Sequence, residues 1–263
     1  MLAVVFSFTA CMKNPTEGFK VEGSIANFQD CPDDRVMAFV CGDYPTVGTK
    51  ISESKFENNY FSMFLPYELK DKYCDAIGNM KYIFFDSRFE DYVAISNENV
   101  KIADVWFHSN KKYYFGGNIR QFGYTEDYDY NNGPASVTLV KTQYVYAQSA
   151  VSIRGEYDTY SNGEDQYGNP IGPHTVKVDL LLQKGWNIVY YIGNYISKPN
   201  TYLWEIDTAI INVTAEKPEN IELKWYYRFR ENYRNILKNE NARFMNWAFM
   251  MEYNTNFMLI LYL

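Results

Sequence analysis

The side chains able to do acid–base or nucleophilic chemistry are few and scattered. The chain of 263 residues has two histidines, His108 and His174, each beside a strand-like segment or a turn. No serine or cysteine in a nucleophile motif lies near either, and a Gly-x-Ser-x-Gly elbow is absent, so a histidine-based triad lacks its nucleophile. Two histidines without a His-Glu-x-x-His helix also leave a hydrolytic zinc ion short of ligands. Neither Gly-x-Gly-x-x-Gly nor Gly-x-x-x-x-Gly-Lys-Ser/Thr occurs, so no such loop offers its backbone N–H groups to a phosphate. The expectation is a protein that is not an enzyme.

The cysteines point the same way. Cys11, Cys31, Cys41 and Cys74 are far apart, and none forms the Cys-x-x-Cys spacing of a zinc or redox site. Cys31 and Cys41 are close enough in sequence to staple a hairpin in an oxidising compartment, although spacing alone does not establish disulfide geometry. For a hard cation, the best run is Asp127, Asp129 and Asn131 with Glu126 alongside and Gly133 following, since calcium takes alternate carboxylate and carbonyl oxygens around a sharp turn. The glycine falls one place late for an EF-hand loop and the twelfth position is Thr138, not Glu. A solvated acidic loop is the default reading there, and no cofactor is expected. A glycosidase would need two carboxylates facing each other across a cleft, and Glu164 with Asp165, being adjacent, are poorly placed for that.

What remains is aromatic. Tyr124, Tyr128, Tyr130, Tyr157, Tyr160 and Tyr167 fall in or beside two long polar stretches, Tyr124 to Pro134 and Asp158 to Pro173. Flat rings with a polar tip pack on sugar faces or protein partners at low entropic cost, and loops at the end of a sandwich are where binding residues sit. These tyrosines are the candidate ligand-binding residues, for a glycan or a protein partner. A formal charge of -7 opposes nucleic acid, which needs a basic patch to neutralise phosphates.

The 25 Tyr and 18 Phe favour half-buried sheets over helices. Period-two alternation marks strands at Phe19 to Ile25 and Val36 to Val40. Further strand signals are Thr46 to Ser54, Asn59 to Leu65, Tyr82 to Phe85 and Tyr92 to Ile95. A second set follows at Val100 to Phe107, Tyr113 to Gln121, Val137 to Tyr146 and Ala150 to Tyr157. It continues from Val176 through Leu180, around the corner Lys184-Gly185-Trp186-Asn187 into Ile188 to Ile192, then at Trp204 to Thr214 and Ile221 to Arg228. The reading is an all-β chain of two consecutive antiparallel β-sandwich, immunoglobulin-like domains, residues 19–96 and 97–228. Residues 1–18 precede them, and a C-terminal segment, 229–263, ends in the apolar strand Phe257 to Leu263. Left exposed, that strand would be an aggregation hazard, so burial or pairing with another subunit of a surface assembly is expected.

The start of the chain carries an address. Leu2 to Ala10 is an unbroken apolar run, too short to span a bilayer, and it ends at Cys11. Phe8, Thr9, Ala10 and Cys11 resemble the lipobox of bacterial lipoproteins, with Phe8 where leucine is usual and no basic segment before the run, which puts the true start upstream of Met1. The resemblance implies a diacylglycerol on Cys11, a membrane partner through that lipid, and a place in the bacterial cell envelope, the outer membrane first. Residues 141 to 192, with Tyr-Val-Tyr, Val-Ser-Ile-Arg-Gly and Leu-Leu-Leu-Gln-Lys-Gly-Trp-Asn-Ile-Val-Tyr-Tyr, look like a module of Bacteroides-type envelope lipoproteins. That likeness implies a binding or structural module and brings no catalytic residues. The rival from another class is a secreted carbohydrate-active enzyme using paired carboxylates.

Overall fold

The computed structural model describes residues 18–26, 28, 31, 34–40, 48–109, 118–127, 136–159, 174–197 and 206–227. The expected alternation produces strands β1 (Phe19–Ser24), β2 (Arg35–Val40), β3 (Thr49–Lys55) and β4 (Tyr60–Leu65). Asn58 and Asn59 adopt φ of 52° and 70° between β3 and β4. Asparagine tolerates this left-handed region because its short amide can bond locally. After β5 (Asp75–Ala76), the segment expected to hold a strand at Tyr82 to Phe85 forms short 3-10 turns over residues 77–79, 81–83 and 87–92 instead, before β6 (Val93–Ile95). Here Ile77, Met80, Phe84 and Phe85 all bury their side chains on one core, a demand that turns meet and alternation does not.

The second half supplies β7 (Lys101–His108), β8 (Asn118–Asp127), β9 (Ser136–Ala147), β10 (Val151–Thr159), β11 (His174–Leu182), β12 (Gly185–Ser197), β13 (Ile206–Thr214) and β14 (Lys224–Tyr227). These do not close a sandwich of their own. One sheet runs β3-β2-β7-β8-β9-β12-β13-β11-β10-β6, with β14 on β8 and β5 on β7, while β1 and β4 pair apart as a two-stranded sheet. The expectation of two immunoglobulin-like domains is thereby corrected. β2 joins β7 across the expected boundary at 96/97, and β6 pairs with β10 at the far end of the same sheet. Nor is the sheet wholly antiparallel, because β13 lies parallel to β11. β13 enters between the arms of the β11–β12 hairpin, whose corner is closed by Gly185 at φ 101° and by the Asn187 side chain bonded to Gln183 and Gly185.

Side chains alternate across the central strands, so two cores form on opposite faces. On one face Ile102, Val145, Ile153 and Leu180 pack beneath the 3-10 segment. On the other Val105, Phe107, Tyr144 and Tyr146 pack beneath β1 and β4. Trp225 of β14 joins that second core together. Its ring meets Phe61 and Phe107 edge-on, each with centroids 5.2 Å apart, and stacks on Tyr144 at 5.9 Å. Its indole N–H donates to the Glu22 carbonyl at 3.1 Å, and its own carbonyl accepts from the Ala26 N–H at 2.8 Å. A Cβ on Gly23 would stand 2.4 Å from the indole, so the glycine is required by contact with this ring. Trp225→Ala is expected to cost about 3–5 kcal/mol, the usual loss for a large aromatic ring in a core. Urea unfolding measures it, and a loss under about 1 kcal/mol would mean that the small sheet is held elsewhere.

Candidate functional site

β7, β8 and β9 meet in a way that a flat sheet does not permit. Each of the three pairs antiparallel with the other two: Phe107 opposite Ile119, Val105 opposite Tyr144, and Phe122 opposite Lys141. Three straight strands in a plane cannot all be mutually antiparallel, so the strands splay and leave a fork. A gap of about 20 Å³ lies in it, lined among others by Val105, Trp106, Arg120, Gln121, Thr142, Gln143 and Trp225. That holds about one water molecule and is far below the roughly 300 Å³ or more of a small-molecule site. Hydrogen bonds across it are long: Thr142 Oγ1 and Tyr144 Oη reach Gln121 Oε1 at 3.3 and 3.4 Å.

On the first core's face of the fork stands Asp104, a carboxyl only 5% exposed. Because Ile102 and Asp104 share a face of β7, the strand carries its carboxylate to the edge of an apolar core. The Trp106 indole N–H donates to Asp104 Oδ2 at 2.5 Å, and the Gln143 amide donates to Oδ1 and, at 3.2 Å, to the Val105 carbonyl. Burial pushes the carboxyl up to about 6, against the pull of those two donors and of Lys141 and Arg120. Arg120 sits over the Trp106 ring at 5.3 Å and Lys141 over the Tyr191 ring at 5.4 Å. Burial also drives the Tyr191 hydroxyl far up, and it donates to the Ile83 carbonyl. At the end of β7, His108 is pushed down to about 4 by burial and then by Arg120, and lies edge-on to Phe39 at 5.7 Å. It is a neutral packing histidine at physiological pH. Composition and spacing did not single out Asp104; the signal available was a lone acid in an otherwise apolar alternation, Ile102, Asp104, Trp106.

The residues that the sequence did single out are dispersed. Tyr157 is not at a loop surface: it lies in β10 at 6% exposure, stacked on Phe89 at 4.5 Å, with its hydroxyl accepting the Asp86 N–H at 3.2 Å. Its place on the inward-facing row with Ile153 gives the ring to the core. Tyr124 and Asp127 belong to β8, opposite Leu139 and Ser136, in what reads from sequence as loop. Tyr128, Tyr130, Tyr160, Tyr167, Asp129, Asn131, Glu164, Asp165, Cys11 and Cys41 lie outside the described residues, as does the C-terminal segment. Among the described residues no three His, Cys, Asp or Glu side chains gather as a metal site, and no helix is long and apolar enough to cross a membrane. Burial pushes the Cys74 thiol up to about 11, which keeps it protonated at neutral pH.

The topology does bring together the strand ends that flank the tyrosine-bearing segments. Asp127 pairs with Ser136, Ser136 with Ile196, Ser197 with Ile206, Ala209 with His174, and His174 with Thr159. Strand ends flanking residues 128–135, 160–173 and 198–205 therefore share one rim of the sheet. The opposite rim is closed by the short connections 148–150 and 183–184.

Pantothenate kinases of Yersinia pestis (strain Pestoides F) and Yersinia pseudotuberculosis serotype O:3 (strain YPIII) are each 25% identical to this chain over 151 residues. The similarity covers 57% of this chain and 45% of either kinase, so the chain spans less than half the length of these relatives. No family model matches the chain, and no solved structure does.

The raised Asp104 value has a signed consequence for stability. The folded state holds this proton more tightly than the unfolded chain, so the contribution is complete below about pH 4 and is lost as pH rises through about 6. The rise from the ordinary aspartate range to about 6 corresponds to about 3 kcal/mol. Relative to wild type, Asp104→Asn is expected to gain about that much stability between pH 4 and pH 8 in urea unfolding. Parallel profiles for the two proteins would contradict the assignment.

Proposed function

We propose that this chain is a noncatalytic binding protein of a bacterial cell envelope, anchored through a lipid on Cys11, which takes a glycan or protein ligand on the tyrosine-bearing rim. The observation that carries the reading is topological: segments 128–135 and 160–173, which bear Tyr128, Tyr130, Tyr160 and Tyr167, depart from strand ends on one rim. Binding residues concentrate on loops set by a rigid scaffold, and tyrosine supplies contact area at little entropic cost. The described interior favours the same reading, since Asp104 is engaged by two donors and the gap lined by Trp106 and Gln143 admits nothing larger than water. Partial likeness to pantothenate kinases does not alter it, because the sequence offers no Gly-x-x-x-x-Gly-Lys-Ser/Thr loop to cradle phosphates.

Calorimetric titration with soluble xylan, mannan and β-glucan tests the rim. Wild type is expected to bind at least one, and the combined Tyr128→Ala, Tyr130→Ala, Tyr160→Ala and Tyr167→Ala protein to lose about tenfold or more in affinity. Hydrolysis of a polysaccharide would instead favour the enzyme, and equal binding by the variant would remove the tyrosines from the account. The anchor is read separately: intact-mass measurement after expression with the upstream region should show a diacylated Cys11, absent in Cys11→Ala.

A further inference from the structure

We propose that the closed rim of the sheet rests on the lipid surface that holds Cys11, with Phe64, Tyr67 and Leu181 set into the headgroup layer. The rim assigned to the ligand then faces away from the membrane, an orientation that rests on the Cys11 anchor proposed above.

The point where the chain enters the fold lies at this rim. Gly18, at φ 39°, is so close to Leu65 that a Cβ on it would stand 2.0 Å from the Leu65 carbonyl oxygen. The chain therefore enters β1 beside Phe64 and Leu65, which pair with Lys20 and Phe19. The segment after β4 then meets both short connections of the closed rim. Asp71 accepts the amide of Gln148, which begins the connection 148–150, at 2.7 Å. The Pro66 carbonyl accepts the indole N–H of Trp186, two residues past the connection 183–184, also at 2.7 Å. Leu181 stands at the same rim, opposite Ser152 near the start of β10.

These side chains suit a lipid surface. Phe64 is 46% exposed, Tyr67 69% and Leu181 52%. Gly18 follows Cys11 by seven residues, a reach of about 25 Å at most, so a lipid on Cys11 keeps them within range of the bilayer. Aromatic rings with a polar tip are stabilised where acyl chains meet headgroups. Charge does not draw the rim there, because exposed Lys70 and Lys72 alternate with exposed Glu68 and Asp71. The contact is apolar and should resist salt, which screens exposed charges. β12 runs 13 residues from this rim, which sets the opposite rim about 40 Å from the headgroups.

Photocrosslinking tests the orientation with the full chain, lipidated in a bacterial host and reconstituted in phosphatidylcholine vesicles. Benzoylphenylalanine replaces Phe64, Tyr67 or Leu181 in turn. It also replaces two exposed residues away from the closed rim, Tyr92 before β6 and Ile210 opposite Thr175. Lipid adducts are expected at Phe64, Tyr67 and Leu181 at low and high salt, and none at Tyr92 or Ile210. Phe64→Ser with Tyr67→Ser should lower the adduct yield of the probe at Leu181. Intact mass of the same samples reports the Cys11 lipid. With Cys11 diacylated, equal adducts at all five positions, adducts to a second copy in place of lipid, or a Leu181 yield unchanged by the double variant would overturn the orientation and leave the anchor standing. An unmodified Cys11 would overturn both.

Discussion

Three strands that are each antiparallel to the other two cannot share a plane, and the rest of the structure is arranged around that constraint. Where β7, β8 and β9 splay, backbone groups and core side chains would be opened to water unless the fork were filled. Trp225 fills it from one face, and in doing so draws β1 and β4 onto the large sheet through Glu22, Gly23 and Phe61. Asp104, Trp106 and Gln143 fill it from the other face with hydrogen bonds instead of apolar bulk. One side of the fork is thus fixed by packing, and the other is held by a group whose charge depends on pH.

The sequence revealed the strands more clearly than the way they join. Alternation at Phe19, Val21 and Ile25 and at Val176, Val178 and Leu180 marks β1 and β11, because one buried face imposes period two. It carries no information on which strand lies beside which. A reading in chain order makes β11 and β12 neighbours, whereas β13, arriving later in sequence, slides between them. The short segment Tyr82 to Phe85 is apolar enough for a strand, yet Phe84 and Phe85, adjacent in sequence, both serve one core while Tyr82 stays exposed, and the chain coils to deliver them. Residues 96 and 97 look like a boundary because the strand pattern pauses, but β2 and β7 hydrogen-bond across it.

The candidate sites divide in the same way. Tyrosines in polar stretches are visible in sequence, and the shared rim that gives them meaning emerges only from the pairing of β9, β12, β13, β11 and β10. Tyr157 belongs to the same stretch by position but to the core by parity, two residues beyond Gly155, where a Cβ would strike the Tyr92 carbonyl at 2.2 Å. Asp104 is invisible as chemistry in sequence because one acid among 32 acidic residues has no motif, and its significance lies in burial. The strand ends that flank residues 128–135 and 160–173 share one rim, and the short connections 148–150 and 183–184 close the other.

The central claim, that the filled fork holds the small sheet and the large sheet together as one cooperative unit, is tested most directly by urea unfolding followed at individual amides. Val21 and Phe61 report the small sheet and its core, and Ile153 and Leu180 report the far end of the large sheet. The account predicts one shared midpoint for all four, as a cooperative unit requires. Separate midpoints, with Val21 and Phe61 released while Ile153 and Leu180 remain protected, would show two independent domains and contradict it.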